Sequence, residues 1–176
     1  MHHACKPVLL LRINSKAGCN EYGPTHFKFN EHVLYPTDFS DNSNHAFPYV
    51  EKLVANGAKR VTLLHVRKKH PLDQKQCFRS GEGHDADKFR LQRMKDLLQQ
   101  CGKADITVEV CAGTPIIEIL RLIQEREVEL VVMATHSRGL LGEILLGSVS
   151  YGVSRHSEVG VLFIPPQQSD PKLLQQ

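Results

Sequence analysis

Chemistry in this chain concentrates between Met133 and Ser150, which read Met-Ala-Thr-His-Ser-Arg-Gly-Leu-Leu-Gly-Glu-Ile-Leu-Leu-Gly-Ser-Val-Ser after an apolar run and before a helix-like segment ending at His156. A glycine-spaced turn between strand and helix suits a phosphate. The first N–H groups of a helix have no intrahelical acceptor, and the helix dipole favours an anion there. Gly147 lets the backbone approach an anion with no Cβ in the way. Ser148 adds a hydroxyl, and with Val149 next on the helix Ser150 can reach the same anion. His136 and Arg138 lie in the turn and can contact phosphates. The plainer alternatives are that Ser148 only caps the helix and that His136 is a solvated loop histidine. Gly142 to Ser148 has P-loop-like glycine spacing without the required lysine, and no G-x-G-x-x-G follows a strand.

A second candidate is the turn Pro36-Thr37-Asp38. The Asp38 carboxylate can accept a hydrogen bond from an exocyclic amine; the alternative is an Asx turn or helix cap made by the same side chain. Val66, ending the second apolar run, can offer its backbone to the other edge of a base, and its side chain can equally be core. Arg67-Lys-Lys-His70 follows directly. It is either a basic rim that concentrates anions or a solvated loop. No carboxylate, nucleophile and base occur together as a catalytic set, so binding is indicated, with at most slow nucleotide hydrolysis. The ten histidines show no H-x3-H or H-E-x2-H spacing, and no metal site is expected.

These residues need strand ends and helix starts to place them. Short β-rich runs alternate with helical stretches, as in βαβ units with a parallel sheet. The pattern predicts a first strand at Val33–Tyr35, then a helix capped by Ser40 or Asp41, running to about Asn56 and stopped by Gly57. Pro48 predicts a kink inside it. The second strand is Arg60–Val66, and polar Arg67–Gly83 reads as a surface excursion. Asp85–Gln100 is a helix with Phe89, Met94, Leu97 and Leu98 on one face, ended by Gly102. A third strand at Ile106–Val110 precedes a helix capped by Thr114 and opened by Pro115, with the stripe Ile116, Ile119, Leu120 and Ile123. Val128–Met133 is the fourth strand, Ser148 begins the last helix, and Val159–Ile164 is the fifth strand.

On these segments the chain resembles the universal stress protein family. Val33-Leu-Tyr-Pro-Thr-Asp-Phe-Ser40 is similar to that family's first strand and acidic turn, Leu63-Leu-His-Val66 to its second strand, and the 133–150 stretch to its C-terminal signature. The likeness runs from about Glu31 to Pro165. ATP-binding members show G-x2-G-x9-G-[S/T]; here that frame falls on Ala134, Ser137, Gly147 and Ser148, the last two matching and the first two departing. The resemblance implies an open five-stranded parallel sheet of order 3-2-1-4-5 with helices on both faces, a Rossmann-like, adenine-nucleotide alpha-hydrolase-like fold. The first and fourth strands are then neighbours, and Asp38 and the Ala134–Ser148 turn line one crevice at the switch point. It further implies that Asp38 contacts adenine, that the ligand is ATP or AMP (magnesium accompanying ATP), and that a homodimer forms through the fifth strand. AMP tolerates the altered cradle better than a triphosphate. The role implied is regulatory, in stress response, coupling ligand state to association. The alternative is a degenerate domain that binds no nucleotide and serves as a dimerising interaction module.

Composition narrows the rest. A chain of 176 residues suits one α/β domain, placed at 31–165. A net charge of +3 favours no nucleic-acid partner, and no apolar run is long enough to span a membrane. The five cysteines form no C-x2-C pair, which reads as reduced thiols and a cytoplasmic setting. Residues 1–30 are an N-terminal extension. His3-Ala-Cys-Lys-Pro-Val-Leu-Leu-Leu11 aligns with His156-Ser-Glu-Val-Gly-Val-Leu-Phe-Ile164. Residues 3–12 are therefore expected to be the last strand of a preceding domain of the same kind, with 13–30 as linker; the alternative is an unrelated apolar extension. The tail 166–176 is expected to be disordered.

Overall fold

The computed structural model describes residues 6–12, 29–67, 82–135 and 147–166. Ten elements follow in order: β1 (Val8–Leu10), β2 (His32–Pro36), α1 (Asp41–Ala55), β3 (Arg60–Arg67), α2 (Glu82–Cys101), β4 (Asp105–Ala112), α3 (Pro115–Glu125), β5 (Leu130–Ala134), α4 (Ser148–His156) and β6 (Gly160–Ile164).

The six strands form one sheet in the order β1-β6-β5-β2-β3-β4. Its five domain strands are parallel and lie in the expected order, with β2 between β3 and β5. The expectation of a five-stranded, wholly parallel sheet needs correction: β1 adds a sixth strand, antiparallel on the outer edge of β6. Edge strands invite a partner, and here Val8–Leu10 supplies one.

Alternation along each strand divides the core in two. Val33, Tyr35, Val61, Leu63, Leu130, Val132 and Ile164 face one way and pack with Ala46, Val50 and Val54 of α1 and Leu91 and Leu98 of α2. Leu34, Leu64, Val131, Met133, Val161 and Phe163 face the other way, onto Ile119, Leu122 and Ile123 of α3 and Val153 of α4. Both faces are covered, which is why β2 and β5 read as continuous apolar runs. The helices after the two central strands, α1 and α4, thus sit on opposite faces and open a crevice at the strands' carboxyl ends.

Local sequence sets most boundaries. Ser40 caps α1, its side chain accepting from the Ser43 N–H at 3.3 Å. The helix stops at Gly57, whose φ of +93° disfavours any side chain, while Ala58 N–H bonds the Leu53 carbonyl and Gly57 N–H that of Val54. α1 continues through Pro48, whose missing N–H falls at an exposed position. Pro115 opens α3, but the expected Thr114 cap makes no side-chain hydrogen bond.

Two helix stripes need correction. On α2, Leu91 and Leu98 are buried and Met94 is partly buried, whereas Phe89 is 63% and Leu97 47% exposed. Positions 91, 94 and 98 share one face at spacings of three and four; 89 and 97 fall on another. On α3, Leu122 joins Ile119 and Ile123 in the core. Residues 3–5, the linker 13–28, Lys68 to Gly81, His136 to Leu146 and the tail 167–176 lie outside the described residues.

Candidate functional site

The site begins where β2 runs out. Thr37 N–H still bonds the Leu64 carbonyl at 2.8 Å, and its own carbonyl accepts from His65 Nδ1 at 2.8 Å. The chain then turns sharply at Phe39, which has φ +59°, a left-handed conformation that costs a non-glycine residue about 1 kcal/mol. The neighbouring side chains hold that turn. Thr37 Oγ1 accepts from Phe39 N–H at 3.0 Å, and Asp38 Oδ1 accepts from Ser40 N–H at 3.0 Å and from the Ser43 hydroxyl at 2.7 Å. The buried Tyr35 hydroxyl donates to the Ser43 carbonyl at 2.5 Å. Burial drives the Tyr35 pKa far above its ordinary 10.0, so this phenol stays a neutral donor. Asp38 is therefore an Asx-turn residue, and it is also exposed at the crevice.

Opposite stands the start of α4. Gly147 is its N-cap, with φ −58° and ψ 157°, and brings no side chain to cap the helix. The first helical bond runs from Tyr151 N–H to the Gly147 carbonyl, which leaves the N–H groups of Ser148, Val149 and Ser150 with no acceptor inside the helix. Ser148 is the first helical residue rather than the cap. Ser150 differs from its expected role: it is buried, and its hydroxyl donates to the Ala134 carbonyl at 3.0 Å. It ties the helix start to the end of β5 instead of donating into the crevice. Ala134 sits outside the left-handed region, so its methyl group causes no backbone strain.

Between these walls lies a cavity of about 290 Å³. Pro36, Thr37, Asp38, Val66, Met133, Ala134, Gly147, Ser148, Val149 and Ser150 all line it, so ten residues picked from sequence converge on one place. His136, Ser137 and Arg138 lie outside the described residues. Sequence reasoning missed four lining residues: Ser43, Leu64, Pro115 and Ile119. Leu64 was readable, since it shares a strand face with Val66. Pro115 and Ile119 arrive from α3, one turn apart, and nothing local in their sequence points at the crevice. The cavity combines an apolar slot with hydroxyls, a carboxylate and N–H groups that have no acceptor within the helix.

A second recess of about 410 Å³ opens at the amino ends of β2–β4, among His32, Arg60, Thr62, Asp105 and Arg126. It is larger, but ligands of open α/β sheets bind at carboxyl ends. Its central groups also bond one another: His32 Nδ1 meets the Arg126 carbonyl at 2.7 Å, and Nε2 meets Thr62 Oγ1 at 2.9 Å. The crevice between β2 and β5 is the better candidate. Among the described residues no group of three or more His, Cys, Asp or Glu is placed to hold a metal ion. No described helix is long and apolar enough to cross a membrane.

Comparison with known proteins gives a consistent picture. The profile of the universal stress protein family matches residues 30–165. A universal stress protein of Methanocaldococcus jannaschii is 28% identical over 158 residues, covering 78% of this chain and 96% of that protein. Its solved structure superposes with a TM-score of 0.66 at 27% identity, over 80% of this chain and 99% of that one. An Arabidopsis thaliana member of the same family, solved with AMP bound, has a TM-score of 0.52 at 22% identity, over 81% of this chain and 98% of that one. A universal stress protein from Archaeoglobus fulgidus has a TM-score of 0.66 at 20% identity, over 96% of this chain but 53% of that longer one.

Proposed function

The chain belongs to the universal stress protein family, and on that premise we propose that it binds an adenine nucleotide, AMP or ATP, in the β2–β5 crevice and couples occupancy to self-association in a stress-response role. The observation that carries this reading is the cavity itself. A helix N-terminus capped by a glycine faces an apolar slot across about 290 Å³, with an exposed carboxylate at the rim. That volume is at the small end of ligand pockets, which favours a mononucleotide over a dinucleotide. Leu64, Val66, Ile119 and Met133 suit the faces of a base, the N–H groups of Ser148 and Val149 suit a phosphate, and Asp38 suits an exocyclic amine. Magnesium would enter with ATP, carried by its phosphates. An AMP-bound relative of the same fold supports the ligand class. Association is assigned to β6, and residues 3–12 to the last strand of a preceding domain of the same kind. The cytoplasm is the proposed setting.

The test is calorimetric titration of AMP, and of ATP with magnesium, into nucleotide-stripped protein. Micromolar binding is expected. Absence of heat and of any thermal shift at millimolar nucleotide overturns the reading.

One observation favours a second reading, an interaction module with no nucleotide. Asp38 Oδ1 already holds the turn, and alanine stands at position 134 where binding members have glycine. The same titration decides between the two.

A further inference from the structure

Asp38 owes its place to a residue on another strand. Side chains alternate along β3, so Leu64 and Val66 turn into the crevice while His65, between them, turns to the opposite face, toward α2. There one imidazole grips both neighbours of Asp38. Its Nδ1 lies 2.8 Å from the Thr37 carbonyl, and because a carbonyl only accepts, this nitrogen carries the proton. Its ring rests against that of Phe39, with centroids 4.5 Å apart and planes inclined by 31°. The residues before and after the carboxylate are thus tied to the same side chain.

That tie extends the hold of β3 beyond the sheet. The ladder ends at Thr37 N–H, bonded to the Leu64 carbonyl. Past it the turn bonds itself and the first residues of α1, through Thr37 Oγ1 and Asp38 Oδ1. Those bonds set the shape of the turn; His65 sets where the turn stands relative to β3. Phe39 keeps its left-handed φ of +59° only while its surroundings hold it. Its ring lies on His65 and under Arg90 of α2, whose guanidinium carbon is 5.3 Å from the centroid. Asp87, one turn earlier on α2, stands 3.8 Å from His65 Nε2 and 3.3 Å from Arg67 Nε, and so backs the imidazole from behind.

We infer that His65 is a positioning residue that decides which base the crevice accepts, by holding the Asp38 carboxylate at a set distance from the slot walls Leu64 and Val66. A base lying in that slot then meets the carboxylate with one edge. An exocyclic amine there finds an acceptor, whereas a carbonyl oxygen there faces a second acceptor with no proton between them. A site built to bond one such group rejects the analogue that lacks it, provided the partner cannot turn aside. The inference rests on the nucleotide half of the proposed function and adds to it the source of base selection.

The test is the ratio of AMP to IMP affinity, measured by calorimetry on the full chain and on two variants. IMP carries a carbonyl oxygen where AMP carries the amine; ribose and phosphate are shared, so the ratio cancels any general loss of the site. The unaltered chain should prefer AMP by about 10–100-fold. His65→Phe keeps a ring beside Phe39 without the donor, and should lower that preference about tenfold. His65→Asn places an amide nitrogen where Nδ1 stood, and since the hydrogen bond is the directional contact, it should keep the preference within about threefold. Thermal unfolding of the same proteins reads stability separately, which the ratio does not follow. A preference unchanged in His65→Phe, a loss equal in both variants, or equal affinities of the unaltered chain for the two nucleotides overturns the inference while leaving nucleotide binding intact. Binding of neither nucleotide to the unaltered chain overturns the proposed function, and base selection with it. Should His65→Phe lose its circular dichroism, nuclear magnetic resonance of the unaltered chain with isotope-labelled histidine takes over. The His65 Nδ1–H signal should move at saturating AMP more than at saturating IMP; equal movement overturns the inference.

Discussion

Replacing Asp38 by asparagine and by alanine separates two jobs that one side chain holds. Oδ1 accepts from Ser40 N–H at 3.0 Å and from the Ser43 hydroxyl at 2.7 Å. Alanine removes both acceptors. The Ser40 N–H is exposed and turns to water, whereas the Ser43 side chain is buried and loses its partner. A bond to a charged group contributes about 1.5–3 kcal/mol, and solvent screening at this exposed carboxylate halves that to about 0.8–1.5 kcal/mol. For a chain of this size that is a fall in melting temperature of roughly 2–6 °C. Asparagine keeps an oxygen in the Asx turn, so stability should move by no more than about 0.5 kcal/mol. Its amide, however, presents a donor where an exocyclic amine needs an acceptor. AMP affinity should then fall about 10–100-fold, equivalent to about 1–3 kcal/mol. Calorimetry and thermal unfolding on the two variants read both quantities. The reasoning is refuted if asparagine leaves AMP affinity intact while alanine only destabilises, because Asp38 would then be a turn residue and nothing more.

Three further outcomes follow from the packing. Leu91→Ala should cost about 2–5 kcal/mol in denaturant unfolding, since Leu91 is fully buried, whereas Leu97→Ala on the same helix should cost under about 1 kcal/mol. Gly57→Ala should cost about 1 kcal/mol through its φ of +93° alone, because no atom lies within 4 Å of the added methyl. Burial holds the His32 pKa below its ordinary 6.5, against the raising effect of the Arg126 carbonyl. The unfolded chain therefore takes up this proton first: stability from His32 is complete above 6.5 and is lost as pH falls from there through the lower native value. Melting temperatures of the unaltered chain and His32→Gln, compared at about pH 7.5 and pH 5.5, should show a shallower pH dependence in the variant.

Much of the site was legible because it is made of chain ends. A strand followed by Pro-Thr-Asp and a strand followed by a Gly-Ser helix start are local patterns, and parallel topology with right-handed crossovers brings their carboxyl ends together. Ser40 as cap and Gly57 as stop are likewise decided within a few residues. What escaped depends on distance in sequence. Leu91 and Leu122 are buried by the azimuth of their helices against the sheet, which a loose count of apolar residues does not fix. Pro115 and Ile119 enter the crevice because α3 packs on β3 and beside α4. The Ser150 hydroxyl pointing to Ala134 is a rotamer choice, invisible in residue type. The likeness of residues 3–11 to 156–164 was readable, while the antiparallel register that gives it meaning was not.

Helix α4 touches the crevice and the β1 segment at once. Its first residues line the cavity, and the Ser154 and Ser157 carbonyls at its other end hold Arg12. Nine residues, roughly 13 Å, separate the two ends. Such a helix makes the chain a balance with two pans: an anion at the positive end and a guanidinium at the negative end draw on one dipole and one rigid body. If AMP binds at the first end as proposed, whatever factor it applies to the pairing of β1 with β6 that pairing must apply to AMP.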